Sequence, residues 1–488
     1  MPPATYVTTT IPYVNAPPHI GHALELVQAD VIARWHRARG KLVRFQTGTD
    51  ENAFKNVLSA RARGIPVEAL VDENAARFRA LAGALDISVD RFIRTTDTVH
   101  YRAVSAFLER LDPADLYRDS YRGLYCVGCE DFYLPQDLDD GCCPDHRTPA
   151  IELAERNVFF RLRTYQQRLC ELIASRRIQI IPAARESEVL RFIDRGLADI
   201  SISRDAHRSD GWGIPFPGDP SQVVYVWIDA LINYLSGLGY PDGDDGGRFW
   251  ESATRAHVIG KNVWKFHAVY WPALLLSAGL PVPDQIVVHG FLTSEGRKIS
   301  KSAGDAADPI DYVRRFGVDA VRYFLIRHVH PFEDADFSVA RLEAAYDADL
   351  SNGLGNLVSR VTALCESAGM TTHHGTAVWP DVADAAPSPP AGYDESLREF
   401  RSDRALATVW GEVARLNQDV ASARPWEDIR AGRVGAAAAK ITPWVERLDA
   451  IGCWLAPFLP ATSAAIRSAL SGDPIRKCRP LFPRLDAG

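Results

Sequence analysis

The sequence predicts an α/β protein in which a nucleotide-binding domain with a parallel sheet precedes a domain built from α-helices. Three observations predict this fold class. A strand, a helix and a second strand follow one another near the amino terminus, and the region from about Tyr346 onwards is rich in predicted helix. In addition, 488 residues exceed a single core, so the chain should divide into about three or four domains.

The strand, helix and strand near the amino terminus form the first predicted unit. The β-branched run 6–10 is typical of a buried strand, and Pro12 ends it. Pro17 and Pro18 are predicted to stand in the first turn of the helix that follows. The apolar residues of this helix form one stripe, Ile20, Leu24, Val27, Val31 and Trp35. A second strand over residues 42–45 completes a βαβ unit, which implies a parallel sheet.

The composition is that of an ordinary globular protein, with 47% apolar and 24% charged residues. The net charge of -7 lacks the basic balance that is typical of nucleic-acid binding. The amino terminus has no secretory pattern, and no apolar run approaches the roughly 20 residues of a membrane span. We therefore predict a cytoplasmic protein.

Two histidines mark the predicted start of the first helix. His19 and His22 share one face of its first turn, and Gly21 between them lets a ligand approach the backbone. A helix amino terminus attracts anions through its N–H groups and its dipole, so the imidazoles lie where a phosphate would be held. In isolation, residues 19–22 could simply place two histidines on the surface at a helix start.

A second phosphate-binding pattern occurs far along the chain, in residues 298–302 (KISKS). Lys298 and Lys301 are three residues apart among serines and glycines in a polar loop. Such a loop can close over a polyphosphate and stabilise the charge that grows in a transition state. Alone, it could be a solvated basic loop, but the order and separation of the two patterns make the pair far more specific.

Together, residues 10–22 (TIPYVNAPPHIGH) and 298–302 resemble the HIGH and KMSKS signatures of class I aminoacyl-tRNA synthetases. The resemblance narrows to methionyl-tRNA synthetases through residues 48–51 (GTDE), 225–230 (YVWIDA), 259–261 (IGK) and 266–272 (FHAVYWP). These motifs occur in the family's order over nearly the whole chain. The resemblance implies a Rossmann-like catalytic domain, an inserted connective domain with zinc, and an α-helical anticodon-binding domain.

The resemblance also implies the reaction. The carboxylate of L-methionine attacks the α-phosphorus of ATP, pyrophosphate leaves, and methionyl-adenylate then esterifies methionine tRNA. His19 and His22 are expected to stabilise the α-phosphate, and Lys298 and Lys301 the departing pyrophosphate. Mg2+ is expected on the phosphates. The implied ATP-binding residues are Asn15, Gly21, Gly260, Asn262 and Lys301.

The resemblance assigns nine residues to the methionine pocket: Ile11, Tyr13, Asp50, Trp227, Ala230, Leu231, Tyr234, Val263 and His267. Asp50 offers the carboxylate that an α-ammonium group needs. The aromatic residues suit a polarizable thioether, and Tyr13 and His267 can donate hydrogen bonds to its sulfur. For Trp227 and Tyr234, which are seven residues apart on one helix side, core packing is the alternative that would prevail without the family match.

Four residues with metal-ligand spacing form a third pattern. Cys126 and Cys129 make one CxxC, and Cys143 and His146 make a CxxH, with thirteen residues between the two halves. These two halves can close a tetrahedral zinc site with no open position, although incidental cysteines are the alternative. We choose Cys143 over its neighbour Cys142 because only Cys143 makes CxxH. The pattern matches the family's zinc knuckle, which is structural and steadies the tRNA acceptor arm.

The resemblance divides the chain into five parts. Residues 1–115 and 223–292 are predicted as the two halves of the catalytic domain, and 116–222 as the connective insertion. Residues 293–345 are predicted as the KISKS loop and a stem-contact connector, and 346–488 as the helical anticodon-binding domain. The chain resembles the short members of the family without an appended dimerising domain, which favours a monomer.

Three residues of the helical domain resemble the family's anticodon-reading residues. Asn356 and Arg360 are four residues apart on one helix face, and Trp426 follows at a helix entrance. An exposed tryptophan with an amide and a guanidinium can stack on unpaired bases and form hydrogen bonds with them. The alternative is an ordinary helix bundle with a buried tryptophan.

Three departures from the family pattern leave the function open between alternatives. Asn52 and Ala53 stand where His-Gly often follows, Ile299 where Met is commonest, and Asn262 where Asp is usual. Loss of a carboxylate near the expected ribose site could weaken ATP binding or mark a specialised paralogue. The alternatives are therefore a second, inhibitor-insensitive methionyl enzyme, an amino-acid-activating enzyme of specialised metabolism, or a non-catalytic tRNA-binding protein.

Overall fold

The computed structural model describes most of the chain and contains four sheets. The described residues are 4–126, 131–133, 135–144, 147–294, 297–298, 308–371 and 387–485. The strands are β1 Ala4–Thr9, β2 Leu42–Thr49, β3 Arg91–Arg94, β4 Leu116–Cys126, β5 Asp131–Tyr133, β6 Ile151–Phe160, β7 Gln179–Ile181, β8 Ile200–Ser201, β9 Ser203–Asp205, β10 Pro215–Phe216, β11 Asp219–Val224, β12 Thr254–Gly260, β13 Gln285–His289, β14 Leu292–Ser294, β15 Arg297–Lys298 and β16 Ala335–Asp336.

Helices connect the strands and form the carboxy-terminal part of the described chain. They are α1 Ile20–Ala38, α2 Phe54–Arg63, α3 Val67–Ala84, α4 Thr98–Arg110, α5 Gln166–Ala174, α6 Ala183–Asp194, α7 Val226–Ser236, α8 Trp271–Ser277, α9 Pro309–Phe316, α10 Val318–Arg327, α11 Val339–Ala345, α12 Asn356–Ser367, α13 Tyr393–Arg398, α14 Ser402–Ala423, α15 Pro425–Arg430, α16 Val434–Leu455 and α17 Pro460–Leu470. The predicted α/β fold with a helical carboxy-terminal region is confirmed. Among the described residues, no helix is long and apolar enough to cross a membrane.

The central sheet has six strands in the order β3-β2-β1-β12-β13-β7, and every neighbouring pair is parallel. From β1 the chain winds outward through β2 and β3. The strands β12, β13 and β7 extend from the other edge of β1. The order therefore reverses between β1 and β12. In open parallel sheets, ligands bind outside the carboxyl ends of the strands at this reversal.

The helix α1 packs on the sheet through the predicted stripe, because Ile20, Leu24, Val27, Val31 and Trp35 are all buried. The predicted role of Pro17 and Pro18 in its first turn is wrong. The helix begins at Ile20, and His19 is its N-cap in an extended conformation. The two prolines therefore precede the helix, and a side chain that can accept a hydrogen bond takes the capping position instead.

The segment between the halves of the central sheet contains two smaller sheets. One is antiparallel with the order β5-β4-β6-β8, and the other has the order β10-β11-β9. However, β7 also lies within the range 116–222 and pairs with β13 at the edge of the central sheet. Part of the segment assigned to the insertion thus completes the central sheet.

The helical region is continuous with the connector before it. A π-helical stretch, Tyr346–Gly355, joins α11 directly to α12, so the predicted boundary at 346 falls inside an uninterrupted helical segment. The helices from α12 to α17 share one apolar core with α1 and α10. The orientation of the helical region therefore rests on packing against α1, the helix that His19 caps.

A buried guanidinium reinforces this packing. Arg322 on α10 is fully buried and forms an ion pair of 2.8 Å with Asp30 on α1. It also donates to the carbonyl oxygens of Phe458 and Pro457 at 2.7 and 3.1 Å, and to that of Leu85 at 3.1 Å. One side chain thus joins α1, α10 and the end of α3 to the turn between α16 and α17.

Candidate active site

The carboxyl ends of β1 and β12 lie side by side, with Thr9 paired to Val258. The loops that follow these strands carry the predicted ATP-binding residues. After β12, Asn262 is exposed, and its Oδ1 would lie 3.1 Å from a Cβ atom added at Gly260. After β1, Asn15 is half-buried ahead of the helix start. The structure therefore brings both groups of predicted residues to the reversal point of the sheet.

Lys261, the third residue of the IGK motif, is held by the loop that precedes β16. Its Nζ pairs with Asp334 Oδ2 at 2.6 Å and lies 4.8 Å from the centre of the Phe291 ring. Burial alone would raise the pKa of Asp334, but Lys261 and the backbone N–H of Phe291 hold this pKa below its ordinary value. This ion pair ties the end of β12 to the loop between α10 and β16, which in turn bonds to Phe291 just before β14.

His19 and His22 form a reciprocal cap on α1. Nδ1 of His19 accepts from the backbone N–H of Gly21 at 3.1 Å, and Nδ1 of His22 accepts from the backbone N–H of His19 at 3.0 Å. The two rings stack with centroids 3.8 Å apart. A Cβ atom at Gly21 would lie 2.9 Å from His19 Cε1, so a side chain there would displace the first ring.

This cap determines the tautomer of both rings. A nitrogen that accepts a hydrogen bond carries no proton, so Nδ1 is unprotonated in each ring and Nε2 carries the proton. Each imidazole thereby combines a capping acceptor with an N–H donor on its other side. Such donors at a helix amino terminus suit the binding of a phosphate group.

Several of the predicted methionine-binding residues lie together around the loop that follows β1. Tyr13 and Asp50 form a parallel bridge, and the Tyr13 ring lies 5.8 Å from the Trp227 ring. Trp227 in turn stacks on Phe266, with centroids 3.9 Å apart and planes within 8°. The remaining predicted residues are half-buried in the case of Ile11 and buried in the case of Ala230, Leu231 and Val263.

Tyr234 and His267 form the buried base of this group. The Tyr234 hydroxyl lies 2.7 Å from His267 Nε2, and His267 Nδ1 lies 2.9 Å from the carbonyl oxygen of Val263. Burial lowers the pKa of His267 to about 4, so the ring is neutral near pH 7. Because a carbonyl only accepts, Nδ1 carries the single proton and Nε2 accepts from Tyr234. Of the two predicted donors to sulfur, this arrangement favours the Tyr13 hydroxyl.

Three residues near the pocket were missing from the prediction. Phe266 stacks on Trp227 and belongs to the 266–272 motif, so the motif itself could have indicated it. Asp229 and His100 form a buried pair behind α7. His100 has no motif around it, and only the folded chain brings it to this position.

Comparison of the sequence with models of protein families identifies the family of this chain. The model described as "tRNA synthetases class I (M)" matches residues 5–150 and 135–362, which cover well over half of the chain. The chain belongs to the methionyl-tRNA synthetase family of class I. Both the predicted family and the predicted enzyme class, an aminoacyl-tRNA ligase, are confirmed by this membership.

Individual relatives of this synthetase extend over nearly its whole length. It is 40% identical to the methionine–tRNA ligase of Thermosynechococcus vestitus, over 96% of this chain and 90% of the relative. It is 38% identical to that of Brucella suis, over 96% and 91%. The structure of Mycobacterium tuberculosis methionyl-tRNA synthetase in complex with methionyl-adenylate superposes with a TM-score of 0.89 and 33% identity, covering 99% of this chain and all of the other.

The two described cysteines of the predicted zinc site both contact Thr148, in the segment between the halves of the central sheet. Cys126 and Cys143 are both buried. The Cys126 Sγ lies 4.0 Å from Thr148 Oγ1, and the Cys143 N–H donates to the Thr148 carbonyl, so one short segment approaches both residues. Cys142 is less buried and pairs through its backbone with Asp139. Cys129 and His146 lie outside the described residues.

The predicted anticodon residues lie on neighbouring helices. Asn356 and Arg360 are exposed on the first turns of α12, and α12 contacts α15, whose second residue is the half-buried Trp426. The structure therefore does not bury the tryptophan in the bundle core. In the KISKS segment, Lys298 lies on β15, which pairs with β14, and Lys301 lies outside the described residues.

Proposed function

We propose that this synthetase forms methionyl-adenylate from L-methionine and ATP and transfers the methionyl group to methionine tRNA. The observation that carries the proposal is that Tyr13, Asp50 and Trp227 lie together, with Tyr13 on the loop that runs from β1 to the histidine cap of α1. This arrangement offers an aromatic slot and a carboxylate at the loop that leads into a phosphate-binding helix start. A substrate bound across both would hold its carboxylate near the α-phosphate of ATP.

Each group of residues has a separate role in this proposal. The Nε2–H groups of His19 and His22 donate to the α-phosphate as charge develops on it. Lys298 and Lys301 stabilise the leaving pyrophosphate. Asn15, Gly21, Gly260 and Asn262 line the nucleotide site, where Mg2+ bound with ATP would neutralise phosphate charge. Asp50 binds the α-ammonium group, and the aromatic residues enclose the thioether.

A pyrophosphate-exchange assay over a panel of amino acids tests this proposal. Exchange of labelled pyrophosphate into ATP should depend on methionine, and the same preparation should then charge purified methionine tRNA. Stronger stimulation by leucine, cysteine or a nonproteinogenic acid would favour the specialised paralogue. Binding of tRNA without any exchange would favour the non-catalytic alternative. Restoring the usual carboxylate with Asn262→Asp shows whether Asn262 weakens ATP binding, because the KM for ATP would then fall.

The proposal includes a structural zinc ion held by Cys126, Cys129, Cys143 and His146. The burial of Cys126 and Cys143 and their shared contact with Thr148 support it, because thiolates protected from water suit a closed tetrahedral site. The ion would fix the knuckle that contacts the acceptor arm of tRNA. The proposal further includes a monomeric enzyme in the cytoplasm.

The zinc assignment predicts one tightly held zinc ion per chain in elemental analysis of the purified protein. A Cys126→Ser and Cys143→Ser double variant should lose the ion, since two of its four bonds are gone. Charging of tRNA should then fail before pyrophosphate exchange does, because the site contributes to folding and not to bond making. Cys142→Ser is the matched control and should retain zinc. Full zinc retention in the double variant would contradict the assignment.

The proposal assigns anticodon reading to Asn356, Arg360 and Trp426. The exposure of Asn356 and Arg360 and the half-buried position of Trp426 on an adjoining helix support it. Trp426→Ala should lower charging by about 10 to 100-fold, since a stacking platform is worth about 1 to 3 kcal/mol per base. Pyrophosphate exchange and the thermal melt should stay at wild-type values. Arg430→Ala, an exposed change on the same helix, is the control for the bundle. Unchanged charging by both Trp426→Ala and Arg360→Ala would remove these residues from recognition.

A further inference from the structure

A buried polar cluster joins the helices α4 and α7. Its residues have no role in the function proposed above. Asn52 donates from Nδ2 to Asp229 Oδ2 at 2.8 Å and to the carbonyl oxygen of Thr95 at 3.1 Å. The other carboxylate oxygen of Asp229 lies 2.5 Å from His100 Nε2, and His100 Nδ1 lies 2.7 Å from Ser236 Oγ. Asn52, His100 and Asp229 are 6%, 0% and 1% exposed, so water contributes little to their hydrogen bonding.

The cluster joins the two walls of the methionine pocket. Asn52 follows two residues after Asp50, the carboxylate proposed to bind the α-ammonium group. Asp229 lies in the first turn of α7, between Trp227 and Ala230 of the side-chain slot. The hydrogen bond between Asn52 and Asp229 therefore connects the segment after β2 to the helix α7. In the proposed function, these two parts bind the same methionine molecule.

The same cluster holds α7 at both of its ends. Asp229 is in the first turn, and Ser236 is the last residue of the helix. His100 on α4 bonds to both, so α7 can neither slide along its axis nor tilt without losing one of these bonds. Breaking a buried bond to a carboxylate is costly because the charge stays buried with fewer partners.

An asparagine at position 52 leaves one of its own polar atoms unsatisfied. Oδ1 of Asn52 is buried and has no hydrogen-bond partner among the described residues. An unsatisfied buried acceptor is unfavourable, and an apolar residue of similar size would avoid it. The amide therefore contributes through what its Nδ2 donates to, the carboxylate on α7 and the carbonyl oxygen of Thr95.

We infer that Asn52, acting with Asp229 and His100, is a positioning residue that sets the affinity for methionine by fixing α7 relative to Asp50. The inference rests on the proposed function and deepens it. None of the three residues needs to touch the substrate. They affect the binding of methionine by setting the distance between the Asp50 carboxylate at one end of the pocket and the aromatic slot at the other.

The test is the KM for methionine against the KM for ATP in pyrophosphate exchange. Asn52→Leu keeps the volume and removes the amide, and it should raise the KM for methionine about tenfold, the effect of about one hydrogen bond to a charged group. The KM for ATP should stay within about twofold, since the nucleotide site at β12 is not touched. Asn52→His keeps a donor opposite Asp229, and it should retain most of the methionine affinity.

Asn157→Leu is the matched control. Asn157 is fully buried on β6 and donates one hydrogen bond, at 3.1 Å to Glu155, outside the pocket. It should lower the melting temperature without changing the KM for methionine. Asp229→Leu combined with Asn52→Leu should raise the KM by less than the product of the single effects, because each change removes the same hydrogen bond between positions 52 and 229.

Two results would overturn the inference. One is an equal KM for methionine in the wild type, Asn52→Leu and Asn52→His. The other is a rise in both KM values together with a loss of active enzyme, which is what a purely structural role would produce. If the wild type itself fails to respond to methionine, the proposed function fails. If the wild type responds to methionine but its variants do not separate the KM for methionine from the KM for ATP, only the inference about Asn52 fails.

Discussion

Replacing His22 with glutamine should lower the rate of methionyl-adenylate formation by about 10²-fold or more while the melting temperature stays near that of the wild type. His22 is the third residue of α1, and its Nδ1 accepts from the backbone N–H of His19. Glutamine is a standard residue for this position, because its side-chain oxygen reaches back to the same N–H. The substitution thus keeps the cap and removes the imidazole ring whose N–H is proposed to bind the α-phosphate.

His19→Asn applies the same logic to the N-cap itself. Asparagine is among the preferred N-cap residues, so the helix start should be as stable as with His19. The loss of the imidazole should lower adenylate formation to a similar degree. Single-turnover formation of the adenylate, followed in rapid-quench experiments, separates this step from transfer to tRNA.

Ser338→Ala serves as the control for loss of a cap. Ser338 caps α11 by accepting from the backbone N–H of Arg341, and α11 carries none of the residues proposed for activation. Its removal should cost about 1 kcal/mol of stability and leave the activation rate unchanged. If His22→Gln and His19→Asn both activate methionine at the wild-type rate, the two imidazoles act only as caps and the proposed phosphate contact is wrong.

Arg322→Met should be the most destabilising single change considered for this protein, at about 3 to 5 kcal/mol. The variant keeps much of the side-chain volume but leaves Asp30 buried on α1 without its main partner. It also leaves the carbonyl oxygens of Pro457, Phe458 and Leu85 without their donor. Thermal melting followed by circular dichroism and by tryptophan fluorescence measures the loss.

Arg314→Ala is the matched control, because Arg314 is exposed on α9 and Asp311, also exposed, is its ion-pair partner within the described part of the chain. It should change stability by no more than about 0.5 kcal/mol. Since Arg322 joins α1 to the helical region, its variant should also unfold in two steps, with the helical region released first. An Arg322→Met protein that melts like Arg314→Ala would show that apolar packing alone holds these helices together.

The Asp30 pair also gives this stability a pH dependence. Burial alone would raise the pKa of Asp30, but Arg322, Arg34 and Ser88 hold it below its ordinary value. A carboxyl group with a lower pKa in the folded state stabilises the protein above its unfolded pKa of about 4. That contribution is lost as the pH falls through the folded-state pKa. Asp30→Asn should therefore be less stable than the wild type near pH 7, and the difference should shrink at low pH.

The sequence by itself determined the class of fold and the identity of the candidate site. The strand, helix and strand around residues 6–45 follow from apolar periodicity, which is a local property of the chain. The two phosphate-binding motifs and the pocket motifs are short runs whose chemistry can be recognised without coordinates. Among the described residues, Tyr13 forms a bridge with Asp50 and its ring lies 5.8 Å from that of Trp227, and their role in binding methionine stays a prediction.

Only the tertiary structure decided how distant residues share hydrogen bonds. The capping of α1 by two histidines, the loss of a spare donor on His267 and the partners of Asn52 all depend on backbone positions that the residue types do not encode. The same holds for β7, whose pairing with β13 places part of the expected insertion in the central sheet. Burial makes each of these contacts matter, because a polar group removed from water must find its partner within the fold, wherever in the chain that partner lies.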